Sequence, residues 1–285
     1  MYVDLTNMNS GFCDRLRQLT FCIAYEKLQN NKFKFINIYE KKNPECPYYI
    51  SELIKIKNFK LRNVKKKNLQ TIKMDPFNSD ISIENCHKYN SKKVDNSKLL
   101  EIWKKTYTMI HPKKKIITKV NKIIKYKKYV AIHVRLTDKL VSFKDYIFEL
   151  PKKDVITNFQ IKSFYKNINN ILDKKIKYIY IASDENILKK KLENKLINQG
   201  YKIIERDISY NPNKLRQTSG YDFVIDLFSL SKADYIISST GGNVPLTAKL
   251  ISKRKIKYIK WTNYKTIYIL LNILRRGIYK LRSLF

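Results

Sequence analysis

A chain of 285 residues, 44% of them hydrophobic, is long enough for one large core or two ordinary ones and too apolar for a disordered protein, even with 29% charged residues. Its net charge of +35 points to polyanionic partners: phosphate-bearing ligands, nucleic acid or an anionic membrane surface. No run of about 18 uncharged apolar residues occurs, and the first residues lack a basic stretch followed by an apolar one, so the expectation is a cytoplasmic protein without a membrane span.

The opening reads as a βαβ unit: a strand at Met1–Leu5, a polar loop to Gly11, a helical pattern over Asp14–Gln29 and a strand over Phe33–Tyr39. Residues 54–98 are rich in Lys and Asn and carry no secure periodicity. Residues 99–128 read as basic helix interrupted by Pro112. Beyond Tyr129, strands alternate with helices: strands at 129–135, 178–183, 201–206, 234–239 and 256–261, and helices at 158–172, 186–198, 221–232 and 244–252. That alternation predicts a doubly wound parallel sheet and places a domain boundary near 125/126. The cysteines (Cys13, Cys22, Cys46, Cys86) have no metal-site spacing and read as reduced packing thiols.

From Tyr235 to Phe285 there are eleven Lys/Arg and no acid. Within this stretch Ile267, Leu270, Leu271, Leu274, Ile278, Leu281 and Phe285 recur at helical spacing. Two readings stand: a helix packed on its own domain, or an in-plane helix on an anionic membrane.

Three predicted strands end in polar groups. The apolar run from Tyr129 leads into His133, Arg135 and Asp138; the run from Tyr178 leads into Asp184 and Glu185; the run from Asp234 leads into Thr240, Gly241, Gly242 and Asn243. In open α/β sheets ligands bind beyond the carboxyl ends of the strands, so the three ends suggest one site. Each has a local alternative. Arg135 and Asp138 can form an ion pair, Asp184 can cap the following helix, and Gly241–Gly242 can be a tight turn.

These residues also carry a resemblance. HVRLTDK over 133–139, YIASDE over 180–185, YDFVIDLFSLSKAD over 221–234 and GFCDRL over 11–16 resemble, in order, motifs of the GDP-fucose-dependent fucosyltransferases of the alpha-1,6 type, and more loosely the protein O-fucosyltransferases. The four segments follow the family's order along the chain, from Gly11 to Asp234. The resemblance implies an α/β GT-B fold of two Rossmann-like domains. Residues 1–125 would form the acceptor side and part of the donor cleft, and residues 126–285 the nucleotide-sugar-binding domain. It implies an inverting transfer of fucose from GDP-fucose, without cofactor or metal, to a glycan or lipid-linked glycan. No D-x-D triplet occurs in the chain, in agreement with metal independence.

Carried residue by residue, the resemblance gives Arg135 the leaving diphosphate, which a guanidinium can hold through paired donors. His133 supports the same site or is a structural histidine. Asp226 reads the guanine or is a buried helix aspartate. Asp184 and Glu185 shape the nucleotide pocket or cap a helix. Asp14 and Arg15 reach the donor from across the cleft or form a charge pair at the helix start. Two departures bear on the donor: Leu136 stands where the family has a second arginine, and Gly241, Gly242 and Asn243 stand where it has two serines and a glutamine. The general base is assigned to Asp145, the nearest of the acids Asp138, Asp145 and Glu149 to the expected position. A nucleic-acid binder is the rival reading, from the charge and 21 tyrosines, though no nucleic-acid-binding module is recognisable.

Overall fold

A computed structural model of the chain describes residues 1–5, 11–43, 46–64, 96–125, 128–135, 140–141, 156–208, 210–211, 218–239, 243–254 and 256–260. Asp138, Asp145, Gly241, Gly242 and the terminal helical pattern from Lys265 lie outside these residues. The chain forms two compact units, neither contiguous: residues 1–125 with 219–232 and 243–255, and residues 126–218 with 233–242 and 256–285.

In the first unit, β1 (Tyr2–Asp4), β2 (Phe35–Tyr39) and β4 (Lys60–Asn63) form a parallel sheet in that order. Helix α1 (Phe12–Leu28) links β1 to β2 and is buried almost all round through its first three turns, from Phe12 to Ala24 with Asp14 the exception. The short α2 (Ile50–Leu53) precedes β3 (Ile54–Ile56), which pairs antiparallel with β5 (Ile110–Pro112). Pro112 therefore ends a strand between α3 (Asn96–Tyr107) and α4 (Lys114–Ile123), where the sequence suggested an interrupted helix. Trp103 fixes α3 to α1: its indole N–H donates to Thr20 Oγ1 at 3.0 Å, and its ring meets Phe21 edge-on at 4.8 Å.

Two later helices join this unit. They are α7 (Gly220–Leu230) and α8 (Asn243–Ile251), which contiguous division at 125/126 assigns to the other domain. Aromatic contacts hold α7 here: Phe223 packs edge-on against Phe12 at 6.0 Å, and Lys119 lies 5.0 Å over the Tyr221 ring. At Gly220 the ring of Tyr48 sits where a Cβ would be, 2.4 Å from its ideal position.

The second unit is built on β6 (Val130–Val134), β9 (Tyr178–Ser183), β10 (Lys202–Ile203), β11 (Tyr235–Ser238) and β12 (Lys257–Lys260), all parallel, in the order β10-β9-β6-β11-β12. A short parallel pair, β7 (Leu140–Val141) with β8 (Ile156–Thr157), completes its strands among the described residues. Side chains alternate across a strand, so Val130, Ile132 and Val134 share one face with Ile179, Ile181 and Ile237. That face is covered by Ile161 and Phe164 of α5 (Asn158–Asn167) and by Leu192 and Leu196 of α6 (Asn186–Ile197). Each such fully buried side chain contributes roughly 1.5–3 kcal/mol. The other set, Ala131, His133, Tyr180, Ala182, Ile236 and Ser238, is also buried. Asp234 ties the amino ends of two strands: its carboxylate accepts the Tyr129 N–H at 2.8 Å, and its own N–H donates to the Tyr129 carbonyl at 3.1 Å.

Candidate nucleotide-sugar site

The chain leaves β6 toward β9 and β10 on one side, then returns to lay β11 and β12 on the other. The direction of winding reverses between β6 and β11, and the crevice beyond the carboxyl ends of two such strands is where open α/β sheets bind ligands. In register, His133 of β6 stands beside Ser238 of β11 and Ala182 of β9. His133 Nδ1 lies 3.3 Å from Ser238 Oγ, and the Ser239 N–H continues the ladder to the His133 carbonyl at 3.0 Å. Arg135 follows at the strand end, half-buried.

His133 is 7% exposed. Burial, aided by the positive charge of Arg135, lowers its pKa to about 3, so the ring is neutral at physiological pH. The fixed positive charge at this strand end therefore belongs to Arg135, and His133 offers a neutral imidazole. At the end of β9, Glu185 takes the capping role that the sequence left open between it and Asp184. Its carboxylate accepts the N–H groups of Ile187 at 2.9 Å and Leu188 at 2.6 Å. Asp184 stands between β9 and this cap, half-buried.

In the first unit the predicted residues separate. Asp14 lies in the first turn of α1, and Asn243 opens α8. The Asn243 carboxamide donates to Asp14 Oδ1 and accepts from Arg17 Nη1 at 3.4 Å, while Arg17 Nη2 is 3.3 Å from the same Asp14 oxygen. Asp14 keeps 25% of its side chain exposed. Arg15, next along the helix, points elsewhere: it is 1% exposed and its Nη1 is 3.4 Å from Glu40 Oε2. Burial pushes the Glu40 carboxyl up to about 7, against the pull of the Ile50 N–H, which it accepts at 2.8 Å, and of Arg15. Asp226 sits in mid-α7, 6% exposed.

Sequence reasoning overlooked three of these groups. Arg17 is three residues from Asp14 on one helix, a spacing that places both on one face. Glu40 directly follows a predicted strand, the same signal used elsewhere. Ser238 had no signal of its own, since its pairing with His133 depends on strand order.

No family model matches the chain, and no curated protein does. Solved structures do. POFUT1 in complex with GDP-fucose is 12% identical, with 90% of this chain and 97% of that one covered and a TM-score of 0.51. The fucosyltransferase NodZ from Bradyrhizobium is 10% identical over 92% and 96% of the two chains, with a TM-score of 0.54. NodZ alpha-1,6-fucosyltransferase soaked with GDP-fucose is 11% identical over 90% and 93%, with a TM-score of 0.52. The chain has the GT-B fold of these fucosyltransferases.

Within the GT-B fold, His133, Arg135 and Asp184 occupy strand ends of the second unit, while Asp14, Arg15, Asp226 and Asn243 belong to the first. Among the described residues no three His, Cys, Asp or Glu side chains gather as a metal site, and no helix is long and apolar enough to cross a membrane.

Proposed function

We propose that the protein transfers a sugar, fucose or a close relative, from a GDP-sugar to a glycan or lipid-linked glycan acceptor, with inversion and without metal. The observation that carries this reading is the pairing of His133 with Ser238 at the switch between β6 and β11, with Arg135 just beyond. Solved structures of the same fold with GDP-fucose and GDP support the choice of nucleotide.

In this reading Arg135 holds the diphosphate through paired donors, and its charge grows in value as the leaving group becomes more negative. Neutral His133 donates a hydrogen bond and adds no charge. The resemblance gives Asp226 the guanine edge, Asp14 and Asn243 a part in donor binding, and Gly241 and Gly242 the phosphates, since glycines allow close approach of backbone N–H groups. Arg15 stiffens α1 from within through Glu40. Asp184 borders the nucleotide. Asp145 removes the acceptor proton as the acceptor oxygen bonds to the anomeric carbon. The bond from that carbon to the phosphate oxygen breaks, and GDP leaves with its electrons. The loop sequence Gly241, Gly242, Asn243 favours a second version of the same reading, in which the donor is another GDP-sugar.

The acid-free stretch from Tyr235 supports a peripheral position on the cytoplasmic face of an anionic membrane, where a lipid-linked acceptor for polysaccharide synthesis would lie. Each basic residue near such a surface contributes about 1 kcal/mol. Sedimentation with anionic but not neutral liposomes is the expected result, and equal behaviour with both overturns this position.

The deciding experiment is thermal stabilisation by GDP, GDP-fucose, UDP and single-stranded DNA at moderate salt. A ligand at a hundred times its Kd adds about 2.7 kcal/mol. GDP and GDP-fucose are expected to stabilise and UDP and DNA not to; stabilisation by DNA alone overturns the reading in favour of a nucleic-acid binder. Transfer is expected to persist in EDTA, and loss on chelation restored by manganese overturns metal independence.

A further inference from the structure

A pocket of about 340 Å³ opens in the second unit at the amino ends of β9 and β10, the opposite end of the sheet from His133 and Arg135. It is lined by Asn169, Lys174, Lys177, Gln199, Gly200 and Tyr201. Its lining is carboxamides, ammonium groups and one phenol ring, with no aliphatic side chain. Tyr201 packs against the core beneath. The turn that carries Gln199 and Tyr201 is fixed by the end of α6: Gly200 has φ +85, its N–H donates to Ile197 O at 2.9 Å, and the Tyr201 N–H donates to Leu196 O at 3.1 Å. A Cβ on Gly200 would meet nothing within 4 Å, so this wall is open to a ligand. Neither Lys174 nor Lys177 has an ion pair among the described residues. The nearby carboxylate of Asp173 accepts the Lys175 N–H at 2.9 Å.

We propose that this pocket binds an acidic saccharide: its carboxylate on Lys174 and Lys177, its hydroxyls on Asn169 and Gln199, its ring against Tyr201. The volume lies at the low end for small-ligand pockets, which suits one or two sugar rings. Two ammonium groups repel a metal ion and attract an anion. The choice of a saccharide rests on the reading of the chain as a glycosyltransferase, since contacts with an acceptor remote from the reacting centre are a source of binding energy for the reaction. A site at this end of the sheet would hold a distant part of a polymeric acceptor.

The test is calorimetric titration of the full chain at physiological salt with digalacturonic acid, maltose, inorganic phosphate and a short oligo-dT, with GDP binding measured alongside. Three proteins are compared: wild type, Lys174→Ala/Lys177→Ala, and Lys190→Ala/Lys191→Ala, the last removing equal charge from an exposed face of α6 outside the pocket. Digalacturonate is expected to bind wild type, maltose at least tenfold more weakly. The pocket variant should lose at least tenfold in affinity and the control variant less than twofold, with GDP affinity equal in all three. No binding, equal loss in both variants, or displacement by phosphate or oligo-dT at equal concentration overturns the proposal. If no protein binds GDP while the saccharide pattern holds, the transferase reading falls and the saccharide site stands.

Discussion

The carboxamide of Asn243 donates a hydrogen bond to the carboxylate of Asp14, joining residues 229 positions apart. Arg17 closes the triangle by reaching both. Such an arrangement gives each member a partner that depends on the others, so the pair should be energetically coupled. Asn243→Ala is expected to lower stability by about 1.5–3 kcal/mol, the range for a hydrogen bond to a charged group. A double-mutant cycle with Asp14→Ala, read by urea unfolding, should give a coupling of about 0.5–3 kcal/mol. Simple additivity of the two changes would show that the contact carries no weight.

Arg135 is expected to separate function from folding. Arg135→Ala should reduce sugar transfer by about two to three orders of magnitude with little change in Tm, and Arg135→Lys should recover only a small part, because an ammonium lacks the paired donors. Turnover, GDP affinity and Tm on the same preparations decide it. A folded and fully active Arg135→Ala protein sinks the assignment.

The buried pair of Arg15 and Glu40 predicts a large cost on one-sided removal. Glu40→Ala takes the carboxylate from a guanidinium that has no route to water and should cost about 3–5 kcal/mol. Glu40→Gln keeps an acceptor for the Ile50 N–H and should cost less. Because the folded-state carboxyl titrates near 7 and the unfolded one near 4.5, the folded state binds the extra proton between those values. Wild-type stability therefore falls as pH rises from 4.5 through 7 on account of this group. The Tm advantage of wild type over Glu40→Gln should shrink across that window, and an advantage independent of pH would contradict the shift.

His133 predicts the opposite slope. Its folded-state pKa of about 3 lies below the ordinary 6.5, so the unfolded chain binds the extra proton as pH falls through that interval. The Tm advantage of wild type over His133→Gln should decline on acidification from 6.5 toward 3. A difference that grows on acidification would mean that the imidazole charges readily in the folded protein.

Strand and helix alternation beyond Tyr129 was legible because period and length are local properties. A run such as Tyr178–Ser183 is bounded by Lys177 on one side and Asp184 on the other. The polar ends of β6, β9 and β11 were legible for the same reason, and so was the GT-B fold through the order of the motifs. Pro112 marked the break between α3 and α4 but not the strand that fills it, because proline forbids a helix interior and yet is tolerated at the end of a short strand such as β5.

What a linear pattern determined, then, was which residues stand at strand ends. Tertiary structure decided which of them meet. Asp14 and Arg15 are neighbours with similar sequence claims, but successive residues on a helix point about 100° apart, and only the packing of α1 turned one toward Asn243 and the other into the core with Glu40. The placing of α7 and α8 with the first unit, and of Ser238 beside His133, likewise followed from the path of the chain through a sheet whose strand order is not written in any one of its strands.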